Sequence, residues 1–205
     1  MQLDPAVIPQ QSVYKLLIGC VVPRPIAWVS TVSAAGVHNL APFSFFMGVC
    51  NDPPTIAFSS GRRADAKKDT VANIDHTGDF VVNVVDDPLA ERMNLTSGEY
   101  PPEVDEFALT GLTAAPGVKV RAPRLAEAPI SLECRVDRVV PVGRGPHSLV
   151  LGEIVYFHVR DGLYDTATGR IDMHGLRPVG RLAGNLYSHI NDIFEMKRPN
   201  ENYTG

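Results

Sequence analysis

Seven short segments rich in β-branched and aromatic residues constrain the fold of this chain more than any other feature. They cover residues 26–32, 45–50, 55–59, 80–85, 130–140, 148–160 and 182–187. Segments of this length and composition, separated by turn residues such as Gly36, predict β-strands. In the fifth segment apolar side chains occupy every second position, at Ile130, Leu132, Cys134 and Val136. This alternation predicts an antiparallel strand with one buried face.

Helical patterns are few and short. Helices are predicted at residues 12–18, at 69–77 before Gly78, and from Asp87 and Pro88 through Met93. Residues 97–129 contain five prolines, so we expect a long excursion with little regular structure, and loops of this length are often functional. The sequence therefore predicts a single antiparallel β-barrel domain over residues 1–205, with helices packed outside it and a polar tail at 195–205.

The composition argues against several classes of function. A net charge of −4 gives no electrostatic support for binding nucleic acid. No apolar run approaches the roughly 18 residues that span a bilayer, and the N-terminus lacks the features of a secretory signal. We therefore expect a cytoplasmic protein that does not bind membranes. The three cysteines are far apart and the histidines show no metal-ligand spacing, so no metal site is predicted.

The common nucleotide-binding motifs are absent from the sequence. No GxGxxG follows a predicted strand, and no GxxxxGK[ST] occurs anywhere. If the chain binds a nicotinamide or flavin nucleotide, it does so without a Rossmann crevice or a phosphate loop.

A basic cluster lies at the predicted start of the second helix, in the stretch SSGRRADAKKDT at residues 59–70. A helix N-terminus carries unpaired N–H groups and the positive end of the helix dipole, so an anion is stabilised there. Charge-assisted hydrogen bonds to a phosphate can come from hydroxyl and cationic side chains, here Ser59, Ser60, Thr70, Arg62 and Lys68. The alternative is a solvated helix start whose basic residues simply face water.

The stretch NLAPFSFF at residues 39–46 places three phenylalanines around one serine. It predicts either a buried strand or one wall of a pocket for a flat aromatic ligand. A flavin ring needs apolar walls, polar groups for its pyrimidine edge and a cation near the charge that develops on reduction. Ser44 offers polar groups, Phe45 or Phe46 a wall, and Arg24 or Arg181 a cation. The alternating Phe43 and Phe45 also fit an ordinary core.

Five stretches of the sequence, taken in chain order, resemble the flavin reductase-like FMN-binding proteins, which have a split β-barrel fold. They are PRPIAWVST (23–31), NLAPFSFF (39–46), DPPTIAFSSG (52–61), KKDTVANIDHTGDFVVNVV (67–85) and GLRPVGRLAGNLY (175–187). The resemblance covers most of the chain. It implies a mainly β protein with a few helices, built as an antiparallel split barrel of Greek-key type.

The resemblance also implies a set of FMN-binding residues. Those lining the flavin would be Arg24, Pro25, Ile26, Ser30 and Thr31. Those contacting the ring would be Ser44, Phe45 and Phe46, and those holding the 5′-phosphate would be Ser59, Ser60, Arg62, Lys68 and Thr70. Arg181 would close the site near the ring. One departure is Ala183, where many relatives carry a second glycine, so the local approach to the ring differs there.

The function implied by the resemblance is an oxidoreductase, an NAD(P)H-dependent flavin reductase with FMN as cofactor. It would pass a hydride from the nicotinamide to the flavin and could supply reduced flavin to a monooxygenase component. Members of the family are typically homodimers with FMN near the subunit interface. The alternatives are a flavoredoxin-like electron carrier, a flavin-binding barrel with other oxidase or oxygenase chemistry, and a non-enzymatic flavin-binding protein. No catalytic acid or base is predicted, because hydride transfer needs none.

Overall fold

The structure is a computed structural model that describes residues 1–63, 66–145 and 147–197, apart from the side chains of residues 62, 63 and 66. Its helices are α1 (Gln10–Cys20), α2 (Asp69–Thr77), α3 (Ala90–Leu95), α4 (Glu106–Thr110) and α5 (Met173–Leu176), with a 3₁₀ turn at Asp87–Leu89. Its strands are β1 (Ala27–Val32), β2 (His38–Phe43), β3 (Phe46–Asn51), β4 (Pro54–Ser60), β5 (Arg62–Arg63), β6 (Ala66–Lys67), β7 (Asp79–Val84), β8 (Ala114–Ala115), β9 (Arg124–Leu125), β10 (Ile130–Val142), β11 (His147–Val159), β12 (Tyr164–Asp165), β13 (Arg170–Ile171), β14 (Val179–Arg181) and β15 (Tyr187–His189).

Seven of these strands form one antiparallel sheet in the order β2-β1-β7-β10-β11-β4-β3. The first six predicted strands and the three predicted helices are confirmed, with shifts of at most two residues at their ends. The predicted seventh strand, residues 182–187, is wrong: residues Leu182 to Leu186 form the turn between β14 and β15, closed by the hydrogen bonds of Leu182 and Leu186. Residues 198–205 of the predicted polar tail lie outside the described residues.

Strand β1 shows how the sheet is buried on both faces. Trp28 packs into one apolar cluster with Leu40, Met93 and Phe107. Its neighbours Ala27 and Val29 pack into a second cluster on the other face. Because successive side chains of a strand point to opposite faces, the apolar start of β1 at residues 27–29 fits a strand covered on both sides.

The stretch NLAPFSFF is divided between the two edge strands of the sheet. Phe43 ends β2 and Phe46 begins β3, and the chain bends at Ser44 and Phe45 between them. Phe43 is buried against Phe58, with ring centroids 4.9 Å apart. Phe45 is 36% exposed. The stretch therefore supplies a core residue from its strand and more accessible residues from its bend.

The prediction that β10 has only one buried face is wrong. Ser131 and Glu133, on the face opposite Leu132 and Cys134, are also buried. The excursion of residues 97–129 covers this face: the Glu133 carboxylate accepts hydrogen bonds from the N–H groups of Val118 (2.7 Å) and Lys119 (2.6 Å). The excursion contains little regular structure, as predicted, but it is bound to the sheet along its length.

Candidate functional site

A cleft of about 830 Å³ opens where the bend at Ser44 and Phe45, the end of β4 and the start of α2 meet. Helix α1, helix α3 and the β14–β15 hairpin close its other sides. The predicted site residues that line it are Arg24, Ile26, Ser44, Phe45, Ser59, Lys68 and Arg181. Residues from five stretches that are distant in sequence therefore come together in one place.

Arg24 is buried and holds two walls of the cleft together. Its Nη1 donates to the carbonyl oxygens of Ile18 (2.7 Å) and Val21 (2.6 Å) at the end of α1, and its Nη2 donates to that of Leu182 (2.8 Å). Burial lowers the pKa of the Arg24 guanidinium, and the nearby positive charge of Arg181 lowers it further. Because its donors are occupied by main-chain oxygens, Arg24 mainly positions α1 and the hairpin.

Arg181 is the more accessible cation at this end of the cleft. Its Nη1 donates to the Tyr187 hydroxyl, its Nη2 donates to the Gly184 carbonyl, and its guanidinium lies 4.4 Å from the centre of the Tyr187 ring. The Tyr187 hydroxyl in turn donates to Oδ1 of Asn94 on α3 (3.0 Å). These contacts hold a positive charge beside the cleft within a half-exposed hairpin.

Part of the wall of the cleft is apolar. Ile26, Phe43 and Met93 are buried residues that line it, and the more exposed ring of Phe45 extends it. Apolar side chains of this kind suit an aromatic ring system, and the polar groups that share the lining can bind the polar parts of a ligand.

Ser59, Gly61 and Lys68 form another part of the cleft lining, which we call the Lys68 end. Lys68 is the N-cap residue of α2, its side chain is exposed, and its Nζ lies 5.7 Å from the centre of the Phe43 ring. The first N–H groups of α2 follow directly, and they have no partner within the helix. A cation and a helix start at one end of a cleft favour a ligand with a terminal anionic group.

Several predicted residues do not line the cleft. Ser30 and Thr31 are fully buried in β1, where the Ser30 hydroxyl donates to the Pro123 carbonyl (2.5 Å) and the Thr31 hydroxyl to Oδ1 of Asn39 (3.3 Å). Ser60 is buried, and its hydroxyl donates to the carbonyl of Gly61 (3.1 Å). The hydroxyls of these three residues make hydrogen bonds within the protein, and their contact with a flavin stays a prediction.

Thr70, Pro25 and Phe46 do not line the cleft either. Thr70 is 1% exposed, its hydroxyl donates to Oδ1 of Asn39 (2.8 Å), and it lines a smaller cavity beside the cleft. Pro25 and Phe46 flank lining residues without lining the cleft themselves. The side chain of Arg62 lies outside the described part of the chain, so its phosphate contact stays a prediction.

A smaller cavity of about 130 Å³ adjoins the Lys68 end of the cleft. Pro42, Lys68 and Ser97 line both spaces. Its inner wall includes Glu106 of α4, whose carboxylate accepts from Nδ2 of Asn39 (3.0 and 3.1 Å) and from the Leu40 N–H (3.0 Å). Burial raises the pKa of Glu106, and these hydrogen bonds offset the rise only in part.

Sequence reasoning missed the contributions of α1 and α3. Tyr14 and Ile18 of α1 and Asn94 of α3 line the cleft, but nothing in their local patterns indicates a binding role. Asn185 and Tyr187 also line it, and they stand inside the motif GLRPVGRLAGNLY at residues 175–187. That motif was the one signal from which the role of the hairpin could have been extended to these two residues.

The residues of the cleft fit a flavin. The volume of the cleft is within the usual range of roughly 300–1,000 Å³ for ligand pockets, and its lining combines apolar side chains with the cations of Lys68 and Arg181. Among the described residues no group of His, Cys, Asp or Glu has the arrangement of a metal site. Within the same part of the chain, no helix is long and apolar enough to cross a membrane.

Comparisons with known proteins agree with this geometry. The family model of the flavin reductase-like domain matches residues 18–174. Nitrilotriacetate monooxygenase component B from Bacillus cereus is 36% identical, with a TM-score of 0.92 over 96% of this chain and 98% of that one. The 2-nitrobenzoate 2-nitroreductase of Pseudomonas fluorescens is 32% identical, with a TM-score of 0.89 over 97% and 96%.

A split-barrel protein of Shewanella frigidimarina has a TM-score of 0.84 at 21% identity, over 97% of this chain and 99% of that one, and shares the fold. The predicted antiparallel split-barrel fold is thereby confirmed. The chain belongs to the flavin reductase-like family.

Proposed function

We propose that this protein binds FMN in the cleft and acts as an NAD(P)H-dependent flavin reductase. The observation that carries the proposal is the cleft itself, in which apolar side chains and the cations of Lys68 and Arg181 line one space. A flavin ring with an anionic group at the end of its side chain matches this set of side chains. FMN is preferred to FAD because the Lys68 end suits a terminal phosphate and the sequence has no dinucleotide fingerprint.

The residues of the chain have separable roles in this proposal. Lys68, Ser59 and the first N–H groups of α2 hold the phosphate, and Phe43 and Phe45 pack against the ring. Arg181 places a positive charge near the ring, where negative charge develops on reduction. The bound flavin supplies the hydride chemistry. The protein orients the two nucleotides and limits the access of water, and no side chain needs to move a proton.

The proposal is tested by steady-state oxidation of NADH and NADPH with and without added FMN. Turnover that rises with free FMN supports a reductase that could supply reduced flavin to a monooxygenase, as the name of the Bacillus cereus relative suggests. Tight flavin binding without nicotinamide oxidation favours the flavoredoxin-like carrier or a binding protein. Calorimetric titration with FMN and FAD tests the cofactor preference, and equal affinities would contradict it.

Lys68→Ala tests the orientation of the ligand in the cleft. Loss of one charge-assisted hydrogen bond, about 1.5–3 kcal/mol, weakens FMN binding by about one to two orders of magnitude. Riboflavin, which lacks the phosphate, binds nearly as before. The matched control is Lys67→Ala, because Lys67 pairs with Asp75 on α2 and does not line the cleft. Equal losses for FMN and riboflavin would contradict the proposed orientation.

We further propose that the protein functions as a homodimer. Apolar side chains next to the cleft are exposed on α1 and on the edge strand β3, among them Leu17, Val21, Met47 and Val49. An exposed apolar edge strand is a surface that proteins normally cover. A second copy covers it in a closed symmetric pair. Light scattering after size-exclusion chromatography at micromolar concentration tests this, and a monomeric mass would contradict it.

A further inference from the structure

A directional set of buried hydrogen bonds links Glu106 of α4 to the first turn of α2. A carboxylate can only accept hydrogen bonds, so Glu106 fixes Nδ2 of Asn39 toward itself, at 3.0 and 3.1 Å. Oδ1 of Asn39 then faces the other way, where the Thr70 hydroxyl donates to it at 2.8 Å. The charge of Glu106 thereby determines which atom Asn39 presents to α2.

A second hydrogen bond attaches the same helix to the same amide. Nδ2 of Asn73, one turn along α2, donates to the Thr31 hydroxyl (3.0 Å), and that hydroxyl donates to Oδ1 of Asn39 (3.3 Å). All of these residues are less than a tenth exposed. Two positions of α2 are therefore held through Asn39, and the orientation of Asn39 is held by Glu106.

The helix held in this way borders the Lys68 end of the cleft. Thr70 is the second residue of α2, and Lys68 is its N-cap residue. Lys68 lines both the cleft and the smaller cavity that contains Glu106. A change in the first turn of α2 therefore moves the side chain and the N–H groups at that end of the cleft directly.

We propose that Glu106 is a positioning residue for phosphate binding, which acts through Asn39 and Thr70 on the start of α2. The inference rests on the proposed function, because it assumes that the Lys68 end receives the FMN phosphate. Glu106 does not line the cleft, so it acts on the ligand only through the residues it orients. Replacing Glu106 is therefore expected to weaken the binding of ligands that carry the phosphate and to leave the binding of the flavin ring unchanged.

The test compares FMN and riboflavin affinities, measured by calorimetry, for Glu106→Gln and for the matched control Glu103→Gln. Glu103 is an exposed residue of the same excursion. The Glu106→Gln substitution keeps the side-chain shape but allows the Asn39 amide to rotate. FMN binding is then expected to weaken roughly tenfold, which is about the cost of one misplaced charge-assisted hydrogen bond. Riboflavin binding stays within about twofold, and Glu103→Gln changes neither affinity beyond the roughly ±0.5 kcal/mol of ordinary surface substitutions.

Variants at Thr70 test the connection between Glu106 and α2. Thr70→Val removes the hydroxyl and is expected to reproduce the FMN-specific loss, whereas Thr70→Ser keeps the hydroxyl and restores affinity. Because both substitutions act through Asn39, the double variant loses less than the product of the two single losses. Far-UV and near-UV circular dichroism establish that each variant is folded.

The outcomes separate this inference from the proposed function. A wild-type protein that does not bind FMN contradicts the proposed function and, with it, the inference. If wild-type protein binds FMN but Glu106→Gln and Thr70→Val leave the ratio of FMN to riboflavin affinity unchanged, only the positioning role of Glu106 is overturned. Equal loss of both ligands likewise overturns it, because Glu106 then supports the fold as a whole.

Discussion

Two buried carboxylates bind the excursion of residues 97–129 to the sheet, and they do so in opposite senses. Glu106 belongs to the excursion and accepts from the sheet, through the Leu40 N–H and the Asn39 amide. Glu133 belongs to the sheet and accepts from the excursion, through the N–H groups of Val118 and Lys119. Glu133 has one further partner, Nε2 of His158 at 2.6 Å.

The pKa values of the two carboxyl groups shift in opposite directions. Burial by itself raises the pKa of Glu133, but the His158 hydrogen bond and the two N–H groups outweigh it, so the pKa is lowered. Burial raises the pKa of Glu106, the negative charge of Asp69 adds to the rise, and the hydrogen bonds from Leu40 and Asn39 offset it only in part. The direction of each pKa shift therefore depends on the balance between burial and the hydrogen bonds and charges around the carboxyl group.

The largest effect is expected at Glu133. Glu133→Ala leaves two main-chain N–H groups and His158 without their acceptor in a covered site. Each buried donor left unpaired costs about 1–3 kcal/mol in the free energy of unfolding, so the combined loss is the largest of the series. Urea denaturation measures the loss. The control is Glu153→Ala, at an exposed position of β11, and its free energy of unfolding is expected within about 0.5 kcal/mol of wild type. A loss below about 1 kcal/mol, no more than an ordinary substitution, would show that the excursion is held by other contacts.

A smaller loss is expected at Glu106. Glu106→Ala removes the acceptor of one N–H and one amide but leaves no ionisable partner behind. We expect a loss of about 1–3 kcal/mol in the free energy of unfolding, the cost of leaving a buried donor unpaired. Urea denaturation of Glu106→Ala beside Glu103→Ala measures it. A loss as large as that of Glu133→Ala would show that Glu106 and Glu133 contribute equally to the free energy of unfolding.

A still smaller loss is expected for His158→Gln, which changes the side-chain partner of Glu133 and leaves the carboxylate in place. The side chain of His158 is partly exposed, and glutamine still offers an N–H to Glu133. The change is therefore limited to about 0.5–1.5 kcal/mol, the range of a single hydrogen bond. Denaturation of this variant at neutral pH provides the measurement. A loss equal to that of Glu133→Ala would place the whole stabilisation in the pair with His158.

The smallest effect is expected in how the contributions of Glu133 and Glu106 to the free energy of unfolding change with pH. The lowered pKa of Glu133 contributes stability above its ordinary value, about 4.3, and that stability is lost as the pH falls through the folded pKa. The raised pKa of Glu106 has the opposite sign, so its contribution declines as the pH rises from the ordinary value to the folded one. The measurement is the free energy of unfolding of wild type, Glu133→Gln and Glu106→Gln across acid to neutral pH.

The two differences between wild type and variant are expected to change in opposite directions. The stability advantage of wild type over Glu133→Gln grows as the pH rises, whereas its advantage over Glu106→Gln shrinks. Parallel slopes for the two variants would contradict the assignment of the shifts to their partners.

The elements of the fold could be predicted because their signals are local. Strand β1 reads as an apolar β-branched run, and the ends of α2 at Asp69 and Thr77 are predictable because Gly78 follows the helix in the left-handed conformation. The burial of Ser131 and Glu133 is not predictable in this way. Their polar types indicate an exposed face, and only tertiary contacts make their burial possible. The excursion supplies two N–H groups to Glu133, and Oδ1 of Asn83 on β7 accepts from the Ser131 hydroxyl.

The candidate site could be predicted only in part, for the same reason. Lys68 and Thr70 are two residues apart and both fit a phosphate site by type, yet the first borders the cleft while the second faces Asn39. Residue type and spacing identify the cluster of polar groups. The direction of each side chain depends on how α2 lies against β1 and β2, which the local sequence does not contain.

The strand segments, the start of α2 and the motifs that place the chain in its family follow from the sequence alone, because periodicity and turn chemistry act over a few residues. Only the folded chain establishes which of the predicted residues line the cleft, that α1 and α3 complete it, and that Glu106 and Glu133 lie buried. Each of these depends on hydrogen bonds or packing between residues far apart in the chain. Asn39 and Glu106 are 67 positions apart, and only tertiary packing brings such partners within bonding distance.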